Sequence, residues 1–184
     1  MIRMGFICLA AGLSCGFVLA ADAPNLGQVL DARLSTAERD IVPLVEAMPA
    51  GKFDFVPAAG EFKGVRTFGQ QARHLATAIY MMSSAILGQK PPVDIGKTED
   101  GPESVRSKEE VLKYLRGAFT FAHKALSSVT EKNELDMVPT STGGKQIRLG
   151  AAIFILSHSY DHYGQMVVYL RMNGIIPPAS QPAH

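Results

Sequence analysis

Cysteine is nearly missing from this chain: only Cys8 and Cys15 occur, both in a segment expected to be removed. Without them, the mature chain has no thiol for a disulfide, a metal or a nucleophile, and its stability must come from its core. Covalent c-type haem is excluded because there is no Cys-x-x-Cys-His run. An excess of charge of either sign is also missing: 18 Lys and Arg stand against 17 Asp and Glu, a formal net charge of +1. A nucleic-acid partner would need a clustered basic surface, and the densest charge group, SKEEVLKYLR, mixes both signs. No glutamate stands three residues before a histidine, which removes the paired Glu-x-x-His motifs of di-iron bundles.

What the chain does carry begins with MIRMGFICLAAGLSCGFVLA. A single cation, Arg3, precedes an apolar and small-residue run from Met4 to Ala20, and Asp22 and Pro24 follow. That is the form of a secretory signal peptide, cleaved after Ala20, and it predicts an exported, periplasmic protein without a permanent membrane anchor. Removing residues 1–20 takes away Arg3 and no acid, so the charge becomes 0. The roughly 164 residues that remain suit one domain with a substantial core.

Four segments have helical periodicity. The first runs from Leu26 to Ala47, with Leu26, Val29, Leu30, Leu34, Ala37, Ile41 and Leu44/Val45 inward and Pro43 expected to kink or shorten it. The second is capped by Thr67 and closed by Gly88, burying Phe68, Gln71, His74/Leu75, Ala78, Met81/Met82 and Ala85. Ser107 with Glu110 forms a capping-box signature for the third, which ends near Thr130. The fourth spans Gly150 to Asn173, closed by Gly174 and Pro177-Pro178, and Gly143-Gly144 marks a short turn or hairpin before it. Little strand signal and no repeat predict an all-α four-helix bundle over residues 21–178, with residues 179–184, including His184, a disordered tail. The long connections between the first and second helices, and the second and third, leave room for crossovers.

The chain has five histidines, and two of them, His158 and His162, stand four apart in the last helix. Residues at that spacing share a face one turn apart, so two imidazoles can converge on one ion. Ala151, Ile155, Met166 and Tyr169 lie on or beside that face, which points the pair into the bundle. The competing reading is a core hydrogen bond for each ring. His74 lies on the inward line of the second helix and adds a third candidate ligand, leaving a fourth position for water or substrate. Asp161 and Tyr163 flank His162 but point about 100° around the helix. Gln165, nearly one turn on, is placed to reach the site or tie down a neighbouring helix. His123, beside Lys124, reads as a helix-edge residue.

Two stretches, SHSYDHYGQMVVYLRMNGIIPP and TFGQQARHLATAIY, resemble the last and second helices of the DinB/YfiT-like superfamily of metal-dependent enzymes. The resemblance implies a DinB-like four-helix bundle, often a homodimer, in which His74, His158 and His162 bind a divalent metal, commonly zinc or nickel, with water completing the shell. It also implies a hydrolase or thiol-type transferase acting on a small molecule. Where the family often carries arginine after the second ligand, this chain has Tyr163, and export counts against thiol chemistry, which belongs to reducing compartments. The alternative is a non-catalytic module with a structural metal, which a fourth carboxylate ligand such as Glu38 or Asp54 would favour.

Overall fold

The computed structural model describes residues 23–140 and 143–182. The expected signal peptide and His184 lie outside the described residues. Four helices dominate: α1 (Leu26–Ala47), α2 (Phe68–Leu87), α3 (Lys108–Ser127) and α4 (Arg148–Met172). A two-stranded antiparallel hairpin, β1 (Met137–Pro139) with β2 (Lys145–Ile147), precedes α4, and Val138 pairs with Gln146 at its centre. Pro178–Ser180 wind into a 3-10 turn that packs on α1. No helix among the described residues is long and apolar enough to cross a membrane.

Local chemistry sets the helix starts. Asn25 with Gln28, Thr67 with Gln70 and Ser107 with Glu110 each form a reciprocal capping box, satisfying two otherwise orphaned N–H groups per helix. α4 has no such side chain; its first N–H groups donate instead to the carbonyls of Asp136 and Glu134 in the preceding segment. Gly88 closes α2 in the left-handed conformation that glycine adopts without steric cost. Pro43 does not end α1, which continues to Ala47 because Leu44 and Val45 are completely buried and anchor its last turn. α3 stops at Ser127, short of the expected Thr130, where the Ser128 hydroxyl donates back to the carbonyl of Ala125.

The helices form a ring in which α1 and α2 each pack against both α3 and α4. α1 and α2 are therefore diagonal, as are α3 and α4, so the first and third connections cross the bundle. The connection between α2 and α3, despite its length, joins neighbours and folds back along α2. Its carbonyls of Asp100 and Val105 accept from the Arg73 guanidinium at 2.5 and 3.0 Å. The core they enclose centres on Leu34, Ile41, Phe68, Leu75, Ile79, Leu115, Phe119 and Ile155, all essentially inaccessible. Val29, expected inward, is exposed, and Leu30 takes the core position beside it.

Candidate metal centre

α4 presents His158 and His162 one turn apart, and α2 packs beside it with His74 facing them. The ring centroids are 4.4 Å apart for His158 and His162, 4.8 Å for His74 and His162, and 5.3 Å for His74 and His158. One ring nitrogen from each lies within 4.8 Å of the others. His74 and His162 are buried and His158 is half-buried, its ring stacked on Phe154 at 4.8 Å.

Hydrogen bonds fix how two of the rings sit. His74 Nδ1 lies 2.7 Å from the main-chain carbonyl of Glu99. A carbonyl only accepts, so the proton of neutral His74 is on Nδ1 and the lone pair is on Nε2. That Nε2 lies 3.3 Å from His158 Nε2. His162 Nδ1 lies 2.6 Å from Gln71 Oε1, and Gln71 Nε2 donates to Gln165 Oε1 at 2.8 Å.

A divalent ion fits this donor set. A tetrahedral ion with metal–nitrogen distances of about 2.0–2.1 Å holds its nitrogens about 3.3–3.4 Å apart. The His74–His158 separation of 3.3 Å matches that spacing. The rings also resist protonation, as ligands must. Burial, with His158 and His74 adding repulsion, pushes the His162 imidazolium down to about 4. Burial, then His74, lowers His158 as well.

The three rings line a cavity of about 390 Å³. Ala78, Met81, Met82 and Phe154 give it an apolar wall, and Arg66, Asp161 and Gln165 stand on the polar side. Arg66 is pinned by carboxylates, its Nε donating to Asp100 and its Nη2 to Glu99, each at 2.6 Å. Its charge is thus paired with two carboxylates. The two carboxylates, while paired with Arg66, each also bring an oxygen within 4.8 Å of a His74 ring nitrogen. Gly101, at φ +80, seats this connection, because a Cβ there would fall on the Thr77 hydroxyl and the Arg73 side chain.

Of the residues singled out from sequence, Gln165 and Asp161 line the cavity, and Gln165 Nε2 donates to Asp161 Oδ2 at 3.2 Å. Tyr163 is half-buried outside the cavity lining, against the core. Glu38 bonds His123 Nε2 at 3.0 Å, while Asp31 holds His123 Nδ1 at 2.6 Å. Asp54 lines a different cavity, with Phe53 and Thr67. Neither carboxylate approaches the three rings. Sequence reasoning missed Arg66, the Glu99 carbonyl and the role of Gln71. Only Gln71 left a signal, a polar side chain on the inward line three residues before His74.

The family model of the DinB superfamily matches residues 33–166. Solved structures with a similar fold include a DinB-like protein from Bacillus cereus ATCC 10987, at 21% identity and TM-score 0.63, covering 81% of this chain and 93% of that one. A conserved protein from Enterococcus faecalis is similar at 16% identity and TM-score 0.64, covering 82% of this chain and 98% of that one. At such identities the likeness is one of fold. No curated protein matches the chain.

Proposed function

The chain belongs to the DinB superfamily, and from that premise we propose that it is an exported metalloprotein whose His74, His158 and His162 hold one divalent ion, zinc or nickel. We propose further that it acts as a hydrolase or transferase on a small molecule. The observation that carries this reading is the 3.3 Å approach of two imidazole nitrogens from rings that line an open cavity. A bound ion of this kind supplies Lewis acidity and lowers the pKa of a water it holds. The chain's own residues do the rest. The Glu99 carbonyl and Gln71 aim two of the rings, while Met81, Met82 and Phe154 keep one wall dry. Arg66, Asp161 and Gln165 offer hydrogen-bonding groups to the polar part of a substrate.

A purely structural ion would call for a fourth protein ligand. Among the described residues, Glu38 holds His123 and Asp54 lines another cavity, while the Glu99 and Asp100 carboxylates, within 4.8 Å of a His74 nitrogen, are paired with Arg66. The purified mature protein is expected to contain about one divalent ion per chain by elemental analysis after mild dialysis. Finding none after reloading with zinc or nickel would refute the site.

Export and homodimerisation complete the proposal. The signal-like segment before Ala21 supports the first, and the exposed Ile153, Tyr160, Val168 and Met172 along α4 support the second. Protein recovered from a periplasmic extract should begin near Ala21 by N-terminal sequencing and sediment as a dimer. An intact Met1 in the cytosol would overturn the export reading, and a monomer the dimer reading.

A further inference from the structure

Gln71 is buried, with only 4% of its surface exposed, and its amide makes two side-chain hydrogen bonds. They belong to a chain of four side chains from two helices: Asp161, Gln165, Gln71 and His162. We propose that the Asp161 carboxylate sets the direction of this relay, and through it which nitrogen of His162 carries the proton. Asp161, Gln165 and Gln71 are then positioning residues for a ligand, an inference that rests on the metal-binding reading above.

The direction follows from donor and acceptor inventories. An ionised carboxylate can only accept. Facing it at 3.2 Å, Gln165 must therefore turn its NH₂ toward Asp161, which leaves its carbonyl oxygen toward Gln71. That oxygen can only accept, so Gln71 turns its own NH₂ to it at 2.8 Å and presents Oε1 to His162. Across 2.6 Å, Oε1 accepts from Nδ1–H. A neutral imidazole carries one such proton, so Nε2 is left with its lone pair toward the cavity. Were the relay reversed, Gln71 would offer N–H to Nδ1, and the proton would sit on Nε2, where it blocks a cation. An amide at position 161 has no preferred direction and lets both arrangements form.

Asp161 is exposed, so substitutions there leave packing intact. Asp161→Asn is expected to lower zinc affinity about tenfold. In the metal-free protein, ¹⁵N NMR should show His162 changing from the Nδ1–H tautomer to a mixture. The double variant Asp161→Asn/Gln165→Glu places an acceptor-only group directly against Gln71. It should restore the single tautomer and bring affinity back to within about threefold of wild type. An unchanged tautomer in Asp161→Asn, or no restoration of it in the double variant, overturns the relay. Since the tautomer is read without metal, a wild type that binds no ion sinks the metal reading and leaves this test standing.

Discussion

Replacing His158 by alanine is expected to weaken zinc binding on the order of a thousandfold, with the bundle still folded. Structural zinc sites with four protein ligands bind with roughly 10–16 kcal/mol, so each ligand accounts for about 2.5–4 kcal/mol, the upper end being roughly a thousandfold. His158 is one of the three proposed ligands, and its ring is held by stacking on Phe154 and by the approach to His74, not by the core. Its removal widens the cavity and leaves no buried group without a partner, because His74 keeps its bond to the Glu99 carbonyl. His123→Ala is the control: that ring, on α3, sits between Asp31 and Glu38 of α1, and its loss should not move zinc affinity. Competition against a chromophoric chelator measures both. A His158→Ala protein that binds zinc within about threefold of wild type would mean the ligand assignment is wrong.

Stability of the metal-free protein should fall on both sides of neutrality, for separate reasons. The His162 pKa drops from 6.5 to about 4 on folding, chiefly through burial. Below pH 6.5 the unfolded chain takes up a proton that the folded one refuses, so stability declines with falling pH, by on the order of 3 kcal/mol once pH 4 is reached. His158, also lowered, adds to the same limb. His123 works in the opposite sense. Burial alone would lower its pKa, but hydrogen bonds to Glu38 and Asp31 and their charges outweigh that and leave it above 6.5. Its contribution is complete below pH 6.5 and disappears as pH rises through the folded value. Urea midpoints measured across pH should therefore show a maximum. His162→Gln should flatten the acid side down to about pH 5, and His123→Gln the alkaline side. A metal-free wild type with a level midpoint from pH 6.5 to 4.5 contradicts the assignment.

The three-histidine group was legible because helical periodicity projects His158, His162 and His74 onto inward faces, whatever the loops do. Helix ends were legible to within a few residues because capping is local: Thr67 and Ser107 were read as caps, and Asn25 went unread. The connection between α2 and α3 was not legible. Its path is decided by Arg73 and His74 bonding to main-chain carbonyls, and a carbonyl has no residue identity to read. α2 misled in another way, because it has apolar residues on two faces. Ala78 and Met81 were expected in the core but line the cavity, and Ile79 and Ile86 are the ones that fill the interior. Periodicity reports an apolar stripe without saying whether protein or a pocket covers it.

The main-chain bond to His74 has an evolutionary side. A ligand aimed by a side chain can be lost to one nucleotide change in its partner, whereas any residue at position 99 offers the same carbonyl. The Glu99 side chain is free to drift, at the cost only of its pairing with Arg66. What the site cannot tolerate is a change in the length of the 88–107 segment, which would carry that carbonyl away from the ring. In related chains, insertions should accordingly accumulate elsewhere, such as beside Gly143 at the hairpin tip, where a Cβ would meet nothing.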